Sequence, residues 1–393
     1  MQLSIELRLL VQMVKQELLQ IDSTFETEGI QWDKFRKACA YHGMRHMAYA
    51  ANLKQVVLPT PLALKYKKFT QQRAKNNLGN IHEINHLYEL FIQEGIYPVL
   101  LKGLLFTELL YDNKVLREST DIDFLFKRED ALKGMLILMS DGYSCHDLGG
   151  IVNSKNLNAD LKKMIFETDF QELHFDKKSF NVDFHWELSN QFLNYTIDLE
   201  IFFKELDLIN FHGKELKVTN LNALFWSLIV HHGGKELWLK FKNLVDLMAF
   251  MERYKSEVDW EFVIRQAKEF KLLTLLKTGL WHLEQLFEYN LPEILVNELQ
   301  GFTPKKMQQI ADFWEKSEYW RKIMPRWKYE RIMIHSQDDG YSWIGYIKKI
   351  YKTYSIPNPF EHKRIFNFPP GWTVLNFFDK LLSYLFRKRG SRS

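Results

Sequence analysis

Apolar residues return every third or fourth position in LSIELRLLVQMVKQELL and again in NIHEINHLYELFIQEG, the spacing of one buried helix face. PTPLAL opens a long polar helix through KYKKFTQQRAKNN, with proline in its first turn. Gly95 closes the helix that precedes a change of pattern. IYPVLLKG (96–103) is a short apolar run, LLFTELLYDN is helical, TDIDFLF is a strand, and EDALKGMLILMSDGY is a helix ending at Gly142. Residues 96–143 therefore read strand, helix, strand, helix. FQELHFDKKSFNVDFHWEL (170–188) reads as a hairpin turning at Asp176, Lys177 and Lys178. In its second arm Asp183, His185 and Glu187 alternate with Val182, Phe184 and Trp186. From about residue 197 the pattern is helical again. LNALFWSLIVHHGGKELWLKFKNLVDLMAFMERY is interrupted at Gly233-Gly234, and VDWEFVIRQAKEFKLLTLLKTGLWHLEQLF carries Asp259 as N-cap. Helices continue from Pro292 to about 355. There is no internal repeat. The expected fold is α+β: a small sheet core over 96–196, an N-terminal helical region over 1–95, and helical regions over 197–310 and 311–393.

Composition narrows the class. A chain of 393 residues, 46% hydrophobic, can bury one large core or roughly two to three smaller ones. Aromatic residues make up 15%, which fits a large packed interior. The net charge of +4 (53 basic against 49 acidic residues) implies no general polyelectrolyte partner. Two cysteines, Cys39 and Cys145, cannot build a disulfide framework, which favours a reducing compartment. The N-terminal stretch lacks the basic, apolar and small-residue segments of a signal peptide. LNALFWSLIV (221–230), the longest apolar run, is too short to span a bilayer. A soluble cytoplasmic protein is expected.

Asp121 and Asp123 raise the chemical question. On a strand, residues two apart share a face, so both carboxylates emerge together between Ile122 and Phe124-Leu125-Phe126. Burying like charges is costly without a cation. Asp198/Glu200 and Glu205/Asp207 show the same spacing, but in polar, helix-like surroundings where solvated charges are expected. Asp183, on a second strand, completes a trio of hard oxygen donors of the kind Mg²⁺ prefers. Two such ions clamp the attacking and leaving oxygens of a phosphoryl or nucleotidyl transfer. Lys102-Gly103, ahead of the helix from Leu104, is the matching phosphate cradle: free N–H groups, close backbone approach and a point charge. The plainer alternative has Asp121 capping its strand or pairing with Arg117, and Asp183 pairing with a lysine of its own hairpin.

Taken together, LLKGLLFTELLY, a following Arg, DIDFLF and VDFHWEL resemble the uncharacterised nucleotidyltransferases of the polymerase-β-like superfamily. HHGGKELWLKFKNLVDLMAF resembles the helical part of that family, and the likeness extends weakly through VDWEFV and FNFPPGW, from about residue 30 to 385. The resemblance implies a short mixed sheet with flanking helices. It implies Mg²⁺-dependent transfer (Mn²⁺ as the substitute) of a nucleoside monophosphate from an NTP, ATP by default, to a hydroxyl acceptor that is a small molecule or a protein. By this likeness Asp121 and Asp123 hold the metals, and Asp183 completes one site and orients or deprotonates the acceptor. Gly103 and the N–H groups from Leu104 receive the triphosphate beside Lys102, and Arg117 contacts phosphate or braces the loop. The superfamily usually has Gly-Ser or Gly-Gly where this chain has Gly103-Leu104, and the gap to Asp121 is long. The alternative is therefore an inactive, nucleotidyltransferase-like binding or interaction protein.

Other candidates are weaker. His231-His232 with Glu236 lacks the His-Glu-x-x-His spacing; one histidine facing the site and one packing is the expectation. Lys240 or Lys242 is a candidate to reach the nucleotide from the helical region over 197–310, which would close the site. His185 and Glu187 either support the metal ligands or form a hydrogen-bonded pair at the sheet edge. FFDKLLSYLFRKRGSRS combines an apolar stripe with five basic residues and one acid; a packed helix with a solvated basic end is expected, with a membrane or nucleic-acid contact as the alternative. No nucleic-acid-binding module is present in the sequence.

Overall fold

The computed structural model describes residues 3–21, 24–145, 148, 156–167, 171–188, 193–195, 197–304, 307–315, 326–338, 343–355, 366, 368 and 372–386. Four helices come first: α1 (Ile5–Leu18), α2 (Trp32–His42), α3 (Arg45–Lys54) and α4 (Thr60–Gln93). Ser4 caps α1 by accepting from the Leu7 amide. The polar and the amphipathic stretches of 60–93 merge into one 34-residue helix, about 50 Å long. Pro61 sits in its first turn, and Gly95 follows its end at φ +74°.

The core then runs β1 (Val99–Leu100), α5 (Leu104–Leu110), β2 (Ile122–Leu125), α6 (Arg128–Ser140), α7 (Leu157–Glu167), β3 (Glu172–Lys177) and β4 (Phe180–His185). The strand order is β1-β2-β4-β3. β2 and β4 are parallel and the outer pairings antiparallel, which makes the expected small mixed sheet. The hairpin turns at Lys178 (φ +54°) and Ser179; Asp176 and Lys177 stay in β3, so the turn is tighter than the sequence suggested. Period two sorts the sheet into an apolar and a polar face. Phe124, Phe126, Phe175 and Phe184 are fully buried, and Phe126 stacks on Phe184 at 3.9 Å.

After the sheet the helical expectation needs one correction. β5 (Asp207–Phe211) and β6 (Lys214–Val218) form a second, two-stranded sheet. His212 (φ +51°) and Gly213 (φ +91°) make the two-residue turn. Asp207 therefore lies in a strand, while Asp198 caps the 3-10 turn Leu199–Phe202. α8 (Leu221–Leu228) runs into a π turn over Ile229–Lys235 and then α9 (Phe241–Tyr254). α10 (Trp260–Glu269), capped by Asp259 as expected, and α11 (Leu273–Phe287) follow. α12 (Glu293–Leu299), α13 (Met307–Trp314), α14 (Arg326–His335), α15 (Trp343–Ser355) and α16 (Thr373–Phe386) complete the described chain. Both cysteines are buried.

Candidate active site

The parallel register of β2 and β4 pairs Asp123 with Asp183. Asp123, Asp183, His185, Glu172 and His174 thus rise from one face of the sheet, and Asp121 stands just ahead of β2, outside the cluster that Asp123, Asp183 and His185 form. Lys102 stands between the carboxylates, its Nζ 2.8 Å from Asp123 and 3.8 Å from Asp183. Asp123 is 1% exposed. Burial pushes its carboxyl up, but Lys102 and His185 outweigh that and hold it well below the usual carboxylate range. The same carboxylates hold the Lys102 ammonium above its ordinary value against burial. Asp183 bonds His174 Nδ1 at 2.7 Å, so its hairpin partner is a histidine and not a lysine. Asp121 accepts from the Thr120 hydroxyl.

The strand-to-helix turn presses directly on this face. Gly103 has φ +60°, where side chains are strained. A Cβ there would lie 2.9 Å from the Asp121 carbonyl oxygen and 3.4 Å from Asp123 Oδ2. It would also meet the Ser119 hydroxyl at 3.3 Å; that hydroxyl is buried without a hydrogen-bond partner among the described residues. Leu104 begins α5 and is 5% exposed, so it packs in the core.

Behind the turn lies a buried latch. Arg117 Nη1 donates to the Gly103 carbonyl at 2.6 Å, and its Nε and Nη2 donate to Asp246 at 2.8 and 3.0 Å. The Tyr111 hydroxyl donates to Asp246 at 2.6 Å, and His232 Nε2 bonds it at 2.9 Å. Asp246 is fully buried on α9; burial raises its carboxyl, but Arg117 and His232 bring it well below the usual range. The latch ties the helical part of the chain to the glycine turn. Arg117 spends its donors there, as a brace.

The chain of residues 13–288 matches a family model described as "uncharacterised nucleotidyltransferase". The protein belongs to that family. No curated protein and no solved structure matches it. Among the described residues no helix is long and apolar enough to cross a membrane.

In this member of the family a second chain of charges runs outward from Asp123. His185 Nε2 lies 3.3 Å from Asp123 in a hydrogen bond, and its Nδ1 lies 3.0 Å from Glu172. Burial lowers the ring's pKa, but the two carboxylates raise it above its ordinary value. Glu172 takes Lys235 at 2.6 Å from the π turn. A narrow pocket lies here, lined by Lys102, Phe106, Glu172, His185, His231 and Lys235, among others; its volume of about 20 Å³ suits about one water. Glu187 lies past the end of β4, lines the same pocket and pairs with Arg128 at 3.2 Å. Lys240 sits apart, as the residue before α9, 3.8 Å from Glu236.

Donor atoms of Asp123, Asp183 and His185 lie within 4.8 Å of one another. The His185 ring is held between Asp123 and Glu172, and the carboxylate oxygens of Asp123 and Asp183 are the donor type a hard divalent cation takes. A second such group, His231–His232–Glu236, has His232 committed to Asp246. A third, Glu83–His86–Asp141, is threaded by Lys177 at 3.1 and 2.7 Å. The sequence alone did not single out Glu172, Lys235, Tyr111, Ser119 or Asp246. Glu172 and His174 do alternate with Leu173 and Phe175 in QELHFD, a signal for the polar face; nothing local marks Tyr111 or Ser119.

Proposed function

We propose that the protein transfers a nucleoside monophosphate from an NTP, ATP by preference, to a hydroxyl acceptor with Mg²⁺ as cofactor. The observation that carries this reading is the register pairing Asp123 with Asp183, with the Gly103 turn against the Asp123 carboxylate and the Asp121 carbonyl. Asp121, Asp123 and Asp183 are the metal holders. Bound Mg²⁺ supplies charge neutralisation and alignment of the phosphate oxygens. Lys102 balances the carboxylates and exchanges them for phosphate oxygens as the nucleotide enters. Arg117 fixes the Gly103 carbonyl, which orients the turn toward the triphosphate. Asp183 takes the acceptor hydroxyl's proton, and His185 keeps Asp123 oriented through its hydrogen bond. Leu104 packs its side chain and offers only its backbone N–H to the triphosphate, while Lys240 pairs with Glu236 and Glu187 faces Arg128, neither with a direct chemical role in this scheme.

A second reading, nucleotide binding without turnover, is favoured by Leu104, whose buried side chain brings no hydroxyl where the superfamily often has serine. Incubation with Mg²⁺ and α-labelled NTPs, with and without cell extract, separates the two. Label moving to an acceptor with pyrophosphate release is expected, and Asp123→Asn should reduce it about a hundredfold or more, since metal-held charge contributes several kcal/mol. Mg-NTP binding by calorimetry without transfer would establish the second reading. Full activity in Asp123→Asn would sink both metal assignments.

A further inference from the structure

α16 is built inside out. Its polar Asn376 and Asp379 are buried, while Val374, Leu375, Phe378 and Leu382 are 37–53% exposed. Those four positions follow i, i+1, i+4, i+8 and fall in one stripe about 100° wide. α15 repeats the same spacing with Trp343, Ile344, Ile347 and Tyr351, all 39–67% exposed. The two helices meet where the Tyr351 hydroxyl approaches Thr373 at 3.4 Å and its ring meets Phe377 at 5.2 Å, so the stripes adjoin. Among the described residues, ten of the 22 large apolar side chains left exposed lie between Trp343 and Leu382, where a water-facing surface would have polar residues.

Among the described residues of the two helices the exposed charge is basic. Lys348 is exposed on α15. After α16 the sequence continues RKRGSRS, with Arg387, Lys388, Arg389 and Arg392 and no acid; those residues lie outside the described part. Asp379, the acid nearest to them in sequence, is turned inward, where it accepts from the Phe366 amide at 2.9 Å. We propose that α15 and α16 form a surface that docks on an anionic lipid bilayer, lying in the interface with the apolar stripes inserted. Aromatic and aliphatic side chains suit the headgroup boundary, and the basic run suits an anionic leaflet. A second copy of the chain would cover the stripes but bring like-charged basic runs together. A nucleic acid would take the basic run but leave the stripes in water. Neither helix is long and apolar enough to cross the bilayer, so the contact lies along its surface.

The test is co-sedimentation of the full chain with vesicles of phosphatidylcholine alone and of phosphatidylcholine with phosphatidylserine, at low and high salt. Partition onto the phosphatidylserine vesicles, weakened by salt, is expected. Phe378→Glu and Ile344→Glu, both at exposed positions, should each reduce it by about tenfold or more while circular dichroism stays unchanged. No partition by the folded chain overturns the proposal. So does equal partition onto both vesicle types, or partition untouched by either glutamate. A dimer in sedimentation that Phe378→Glu dissolves, without vesicle binding, reassigns the surface to a second copy. RNA capture without vesicle binding reassigns the basic run to nucleic acid.

Discussion

Asp246 does more for this site than its distance from the carboxylates suggests. Three groups, Arg117, Tyr111 and His232, are aimed at one buried carboxylate, and Arg117 passes the constraint on to the Gly103 carbonyl. Removing the charge leaves a buried guanidinium uncompensated, the costly way to break such a pair. Asp246→Asn, which keeps the shape, should destabilise the fold by about 3–5 kcal/mol. Denaturant unfolding reads this directly, and a loss below about 1 kcal/mol would mean that the latch is replaceable. The pH dependence follows from the same groups. The folded Asp246 carboxyl lies below its ordinary value of 3.8, so its contribution is complete above that value and falls away as pH drops below it. His232 acts in the same direction. Burial holds its folded pKa below 6.5 despite Asp246, so below that pH the unfolded chain takes up the proton first. Unfolding midpoints should therefore fall steadily on acidification from about pH 6.5, and the acid-side slope should be shallower in Asp246→Asn.

At the scale of elements, the decisive piece is the turn between β1 and α5. Gly103 and Gly95 both have positive φ, +60° and +74°, but only Gly103 is crowded by the carboxylate strand; nothing lies within 4 Å of a Cβ at Gly95. Gly95→Ala should cost about 1–2 kcal/mol for the left-handed backbone alone. Gly103→Ala should cost more, because the Asp121 carbonyl at 2.9 Å must move as well, and it should weaken Mg-NTP binding while Gly95→Ala leaves it intact. Equal effects would show that the turn has slack. The order strand, helix, strand, helix and the polar face of β4 were legible because period two and period 3.6 are local signals. The parallel pairing of β2 with β4 was not, since register is set by contacts distant in sequence. β5 and β6 escaped because DLINF and KELKV are short and half polar, with only His212-Gly213 to mark the turn. The carboxylates were readable as a group. Their cation, Lys102, was in view as a phosphate ligand but not as their counter-ion, because a lysine's reach depends on the turn that carries it.

For the whole molecule, the question is what holds the helical regions to one another. The family match ends at residue 288, yet Trp314 on α13 is completely buried against the matched part. Its indole donates to the Trp238 carbonyl at 2.9 Å, and its ring meets Phe241 at 5.2 Å and His282 at 5.0 Å. His42, from α2, completes the junction. Its Nδ1 accepts from the Phe241 amide at 3.1 Å, and its Nε2 donates to the Trp314 carbonyl at 2.9 Å. Burial brings the His42 pKa down to about 4, so the ring is neutral with one donor and one acceptor, as those two bonds require. Three segments far apart in sequence thus close on one side chain. Trp314→Ala opens a large hole there, and should cost about 3–5 kcal/mol in denaturant unfolding. A fragment ending at residue 288 lacks the indole, its carbonyl and the rest of α13, so it should lose at least as much. Its unfolding midpoint should lie at or below that of Trp314→Ala. A fragment as stable as the full chain would show that the matched segment folds by itself and that α13 merely rests on it.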